Sequence, residues 1–213
     1  MADRGYRGRP QRGERADRQI NAGHSRGLEA SLAKSESKIR NLKTERIYAF
    51  DQTGKEISHS TRGTSTGTKL PKGYNYKDAI LTHNHPGEGL SNNIAGRIGR
   101  TFSGADISIA VQHNASEIRA ITGTYTYSLK RPKEGWGIKT RNKALYVAQL
   151  IKTKKVSYYY EYARRARADY EAGRISKKQY DVSKERADVV GSNKALREVA
   201  KEYGWDYTRK RTS

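Results

Sequence analysis

Hydrophobic and polar positions change character twice along the chain. Residues 1–27 set arginines and glycines among almost no large apolar side chains. Such a stretch cannot bury enough surface to offset the entropy of ordering, which predicts a disordered basic arm. From Leu28 the apolar positions Leu28, Leu32, Ile39 and Leu42 fall at loosely helical spacing and predict a short helix leading into a core. Past Lys133 the composition is helical again, with stretches at Lys143–Lys152 and Val156–Ala172. Gly173 is a stop, Ser176 with Gln179 forms a capping-box pattern, and Gly191-Ser192 sets off a last helix over Asn193–Tyr203, which precedes a basic tail at Arg209–Arg211.

Between these flanks the pattern is that of a sheet. Arg46–Asp51 is a β-prone run, the Gln52-Thr-Gly54 turn follows, and Lys55–Ser60 returns as a second strand. Thr61–Tyr76 reads as a loop. Asp78–Thr82 is a short strand of buried type that ends at His83-Asn84-His85-Pro86. Apolar residues from Ile107 predict a helix, and Glu117–Thr122 with Thr124–Leu129 predict a closing hairpin around Gly123. Strands interleaved with single helices indicate an α/β or α+β domain. The predicted organisation is an arm over 1–27, a domain over 28–132 with its core at 44–132, and a basic helical extension over 133–213.

Composition narrows the partners and the chemistry. The 213 residues carry 43 Lys and Arg against 22 Asp and Glu, a net charge of +21, and only 34% are hydrophobic. The charge is uneven: +6 over 1–46, +4 over 47–132 and +11 over 133–213. A field of this sign attracts nucleic acid, an anionic membrane or an acidic protein surface and says nothing of fold. The chain has no Cys, so disulfides, thiolate metal sites and Cys nucleophiles are excluded. No run approaches the length of a membrane span and no apolar stretch near Met1 resembles a secretory signal, so no membrane partner and a cytoplasmic location are expected.

The residues that carry chemistry begin with His83 and His85. At the end of an extended strand, positions i and i+2 project to one side, so both imidazoles can approach one point, and Pro86 stops the strand immediately after. Asp106, opening the next helix after Ser103-Gly-Ala, adds a carboxylate. Two His and one Asp leave a fourth tetrahedral position open, the arrangement of catalytic zinc. Paired imidazoles favour Zn²⁺ over magnesium or calcium, with iron and manganese as alternatives. Zinc lowers the pKa of its water towards ~7, and a carboxylate outside the ligand set must then carry the proton. Glu45 and Glu56 both precede the His pair. Ser103, one turn before Asp106, can donate to a developing oxyanion; taken alone, Ser103 and Asp106 also fit a helix cap.

Glu45-Arg-Ile-Tyr-Ala-Phe-Asp, Leu81-Thr-His-Asn-His-Pro86 and Phe102-Ser-Gly-Ala-Asp106 together resemble the JAMM/MPN metalloprotease signature, a Glu followed by His-x-His-Pro and Ser-x-x-Asp. The His-Asn-His-Pro variant is similar to RadC-like proteins and to JAMM-like domains of phage head-morphogenesis and toxin-associated proteins. The likeness extends from about Thr44 to Pro132. It implies a mixed sheet flanked by helices and a zinc-dependent hydrolase of peptide or isopeptide bonds. In it His83, His85 and Asp106 hold zinc, Ser103 stabilises the oxyanion, and Glu45, rather than the alternative Glu56, is the general base and acid. The interval from Pro86 to Phe102 departs from the pattern, holding about ten extra residues as a loop over Gly87–Thr101, at small cost in chain entropy. With Asn92, Asn93, Arg97 and Arg100, that loop suits a gating flap or a contact with an acidic partner.

Aromatic and cationic residues intermix in the extension: Lys154, Lys155, Tyr158, Tyr162, Arg164, Arg165 and Arg167. Such a mixture can stack bases while neutralising phosphates, without sequence preference. The competing reading is packing, since Tyr158 and Tyr162 are i, i+4 neighbours on a helix. Three functions follow as expectations. One is a zinc peptidase acting on a protein or peptide substrate. Another is a non-enzymatic basic protein that binds DNA or an acidic virion partner and keeps the fold as scaffold. The third is a metal-dependent phosphodiesterase, for which the His-Asn-His spacing is too short.

Overall fold

In the computed structural model, residues 12–86, 99–138 and 140–212 are described, with side chains omitted for 12–25 and 141. Gly87–Ile98 of the added loop, and with them Asn92, Asn93 and Arg97, lie outside the described residues.

The chain runs α1 (Arg12–Ile39), β1 (Ile47–Phe50), β2 (Glu56–His59), β3 (Ile80–Asn84), α2 (Gly104–Gln112), β4 (Glu117–Ile121), β5 (Tyr125–Lys130), α3 (Arg141–Glu171), α4 (Lys177–Glu202) and β6 (Asp206–Arg211). The six strands form one sheet in the order β2-β1-β3-β4-β5-β6. β3 and β4 pair in parallel and every other pair is antiparallel. The fold is α+β, a mixed sheet flanked by four helices, as the strand and helix pattern predicts. The parallel pair needs a crossover, and α2 supplies it.

Alternation along the strands divides the core in two. Ile47, Ala49, Leu81, Ile118, Ala120, Tyr127 and Leu129 face a cluster with Ile107 of α2, Val147 and Ile151 of α3, and Leu196 and Val199 of α4. Phe50 and Ile80 point the other way and pack on Leu32 of α1. On that second face Glu36 of α1, 5% exposed, receives Arg119 of β4 in a two-pronged pair at 2.7 and 3.3 Å, and Thr82 donates to it at 3.1 Å. α1 thus seats Leu32 and the buried Glu36 on the same strip of sheet.

The flanks depart from expectation. α1 starts at Arg12, inside the stretch read as a disordered arm; residues 1–11 lie outside the described residues. The extension is not wholly helical. Its basic tail is β6, an edge strand that pairs along all of β5, with Arg209 lying 4.8 Å from the Tyr125 ring centre. Charged residues suit an edge, where one side of the strand meets solvent. α3 and α4 are also continuous, and Gly191 does not break α4. It is buried where α4 crosses α3, and a Cβ there would come within 3.2 Å of the Lys155 carbonyl oxygen and the Tyr159 nitrogen. Ser176 and Gln179 form the expected capping box, and Gly173 turns the chain at φ +70°. Trp136 and Trp205 fasten the extension to the core: Trp136 donates to the Ala115 carbonyl and Trp205 to the Trp136 carbonyl, with the rings edge to face. Among the described residues, no helix is long and apolar enough to cross a membrane.

Candidate metal centre

The C-terminal end of β3 and the N-terminus of α2 meet at one point. His83 shares its face of β3 with the larger core and is 1% exposed. His85 lies just past the strand, where its N–H still donates to the Ile121 carbonyl of β4 at 2.8 Å. Period-two alternation therefore brings both rings to one side. Their Nε2 atoms are 2.9 Å apart. Asp106 arrives from α2, with Oδ1 3.2 Å from His83 Nε2 and Oδ2 3.6 Å from His85 Nε2.

The helix cap aims the aspartate. Ser103 is the N-cap residue: its Oγ accepts the Asp106 N–H at 3.2 Å, and Asp106 Oδ2 accepts the Ser103 N–H at 2.6 Å. Cap and ligand are thus the same residues, because a capping box fixes the carboxylate rotamer and leaves Oδ1 toward the imidazoles. The cap uses a lone pair of Ser103 and leaves its hydroxyl proton to donate. On the far side of His85, Nδ1–H donates to the Arg100 carbonyl at 2.8 Å. A carbonyl only accepts, so this bond puts the lone pair of His85 on Nε2, where a metal would need it. His83 Nδ1 is buried with no hydrogen-bond partner among the described residues.

His83, His85 and Asp106 each offer one ligand atom, and these atoms lie within 4.8 Å of one another. Two imidazole nitrogens and a carboxylate oxygen facing one point are a fitting donor set for a divalent transition metal. The electrostatics agree. Burial pushes the Asp106 carboxyl up, but the two imidazoles outweigh it and hold Asp106 well below the usual range. Burial pulls His85 down, yet Asp106, the Arg100 carbonyl and Glu45 raise it above an ordinary imidazole. The ionised carboxylate and the imidazoles thus stabilise one another at this point.

Glu45 lines the same cavity of about 240 Å³, together with Ser103 and the Ser65–Thr68 loop. It stands two residues before β1. Burial raises its carboxyl above the usual range, with the imidazoles pulling back and Asp106 adding to the rise. Glu56 is elsewhere. Ile47 pairs with His83 at one end of β1 and Phe50 pairs with Glu56 at the other, a separation of roughly 10 Å along the strand. Glu56 is exposed and bonds His59 Nδ1 at 2.6 Å.

Two supports of Glu45 escape sequence reasoning. Asn84, between the histidines, points to the opposite face and is fully buried. Its Oδ1 accepts the Arg46 N–H at 2.7 Å, and its Nδ2 donates to the Leu42 and Thr44 carbonyls at 3.3 and 3.2 Å. Alternation in the His-Asn-His run carries the signal, since a residue between two convergent rings must face away from them. Gly63 packs on the Glu45 carbonyl, whose oxygen would lie 2.1 Å from an added Cβ; one glycine in a loop gives no such warning.

The expected nucleic-acid residues divide. Lys154 and Tyr158 both bond Glu198 of α4, Lys155 pairs with Asp188 at 2.7 Å, and Arg167 pairs with Glu171. Lys194 sits 4.2 Å from the Tyr158 ring centre and 6.0 Å from that of Tyr162. These tyrosines serve the α3–α4 contact, in line with the packing reading of their i, i+4 spacing. Arg164 and Arg165 are exposed. In comparisons with known proteins, the chain matches no family model, no curated protein and no solved structure.

Proposed function

We propose that the chain is a zinc-dependent hydrolase of peptide or isopeptide bonds of the JAMM/MPN type, with His83, His85 and Asp106 as the metal ligands. The observation that carries this reading is a three-donor cluster sharing one cavity with a second acidic side chain, Glu45, that stands outside it. Bound there, zinc would supply Lewis-acid polarisation of the scissile carbonyl and of water. Glu45, with its raised carboxyl, takes a proton from the attacking water as the carbon–oxygen bond forms. It returns that proton to the amine nitrogen as the carbon–nitrogen bond breaks. Ser103 donates its hydroxyl proton to the oxyanion.

The deciding experiment pairs metal analysis with trapping. Purified protein should hold one zinc per chain, lost in His83→Ala. Glu45→Gln should keep the zinc, lose turnover and retain substrate proteins on pull-down. Metal-free protein after zinc dialysis, or a Glu45→Gln variant as active as the parent, would sink the reading.

The exposed Arg164 and Arg165 and the +11 over residues 133–213 support a second, compatible reading: nonspecific attachment to nucleic acid or to an acidic virion surface, with the protein working in a phage particle or in host cytoplasm. DNA affinity falling steeply with salt and indifferent to chelation supports it; no binding at low ionic strength refutes it.

A further inference from the structure

Beside the metal cavity lies a second groove of about 580 Å³, between the segment at residues 100–105 and α3. Arg100, Thr101, Ser103 and Ala105 line both, so the groove leads away from Asp106 and Ser103 without a break. Gly104 and Ala148 meet in its floor so closely that a Cβ on Gly104 would lie 2.7 Å from that of Ala148. Leu145, 54% exposed, stands at its rim.

The groove's charge has one sign. Arg100, Lys152 and Lys155 line it, and among the described residues no lining side chain carries a carboxylate. Arg100 and Lys155 both reach Asp188 of α4, at 3.4 and 2.7 Å, so one aspartate answers two cations. Lys152 is exposed beside them. A track with an apolar floor and a cationic rim, continuous with a candidate hydrolytic centre, selects what lies in it by shape and charge together.

We infer that this groove binds the stretch of substrate next to the scissile bond, and that it selects an acidic peptide with an aliphatic side chain seated between Leu145 and Ala148 and carboxylates facing Lys152 and Arg100. The inference rests on the peptidase reading of the adjoining centre. Lys- or Arg-rich segments meet like charge there and are rejected. Nucleic acid fits the rim but not the floor: Phe102, the one aromatic lining residue among the described residues, is 4% exposed and offers bases no ring face on which to stack.

The test is direct binding to full-length, zinc-loaded Glu45→Gln protein, which needs no turnover. Fluorescence anisotropy compares a labelled ten-residue peptide of Glu around a central Leu with the same peptide carrying Lys for Glu, and with an oligothymidylate. The acidic peptide should bind at least about tenfold tighter than the Lys peptide. Lys152→Glu combined with Leu145→Asp, both at exposed positions of α3, should weaken it by about tenfold or more with the thermal melt unchanged. Equal binding of the two peptides, or an unchanged Kd in the double variant, overturns the inference. So does an oligothymidylate whose binding depends on Lys152 while the acidic peptide does not bind. Failure of the peptidase reading shows separately, as zinc-loaded parent protein that cleaves no peptide while the acidic peptide still binds.

Discussion

The side-chain oxygen of Asn84 accepts the backbone N–H of Arg46 at 2.7 Å, while the rings on either side of Asn84 turn to the opposite face of the sheet. The strand that presents His83 of the candidate metal centre therefore also grips the segment that carries Glu45. Asn84→Ala would leave that N–H and the Leu42 and Thr44 carbonyls without their side-chain partner. A loss of about 3 kcal/mol is expected, seen as a drop in Tm of roughly 6–12 °C for a chain of this size. Zinc stoichiometry should stay at one, because His83 and His85 face away from the change. An Asn84→Ala protein that melts with the parent would remove the clamp from the account.

Glu45 and Glu56 make opposite predictions. Glu45 shares the cavity with the three ligand side chains, whereas Glu56 sits at the far end of β1 against His59. Replacing a general acid–base by its amide costs about 10²–10⁴-fold in rate, so Glu45→Gln should lower kcat by that factor with zinc content intact. Glu56→Gln should change kcat by less than about twofold, since exposed surface changes are close to neutral. Peptide hydrolysis by the two variants in parallel checks both outcomes.

How far this centre could be read from sequence follows from which interactions are local. His83, His85, Ser103 and Asp106 were legible because strand alternation and a helix cap are short-range rules, and the fold obeys them at the end of β3 and the start of α2. Tertiary context decided the rest. β6 looks like a charged tail because an edge strand has no need of alternating apolar residues. Gly191 looks like a break because its purpose is contact with α3, a partner more than thirty residues away. Tyr158 and Tyr162 look like a base-stacking surface until Glu198 and Lys194 of α4 arrive beside them. The distance between Glu56 and the histidines follows from the register of β1 against β2 and β3.

Metal uptake should depend on pH through His85. Asp106, the Arg100 carbonyl and Glu45 hold its proton in place despite burial, so its pKa in the metal-free protein lies above the ordinary imidazole value. A raised folded-state pKa means that metal-free protein gains stability below the unfolded value and loses that gain as pH rises through the folded one. Zinc needs the neutral ring, so affinity should fall as pH drops through a midpoint above about 6.5. Zinc titration by calorimetry across pH 5.5–8.5 should show proton release on binding that grows toward low pH. A flat affinity across that range would contradict the coupling.

Arg119 and Glu36 hold α1 to the sheet, with Glu117 and Glu29 completing the charge around the guanidinium at 3.5 and 3.7 Å. Breaking a buried pair from one side strands the other charge. Arg119→Met should cost about 3–5 kcal/mol in urea unfolding. Adding Glu36→Leu should recover much of that loss, because the pair's desolvation disappears with both partners. If the double variant is as unstable as the sum of the singles, the pair is not the unit that holds α1.

Gly104 lies inside the Ser103–Asp106 cap and at the point where α2 meets α3, so one atom there tests how packing sets the centre. In Gly104→Ala the new methyl would approach Ala148 Cβ to 2.7 Å, far inside van der Waals contact, and the N-terminus of α2 must move. Overpacking of this kind costs about 1–3 kcal/mol. Because Asp106 is the third residue of that helix, zinc affinity should fall along with stability. The second change Ala148→Gly removes the opposing methyl and should restore affinity, although it lowers α3 stability by about 1 kcal/mol through helix propensity. Recovery of zinc binding without full recovery of the melt would show that the α2–α3 contact, rather than global stability, places the carboxylate. Zinc affinity unchanged in Gly104→Ala would show that the cap alone places it.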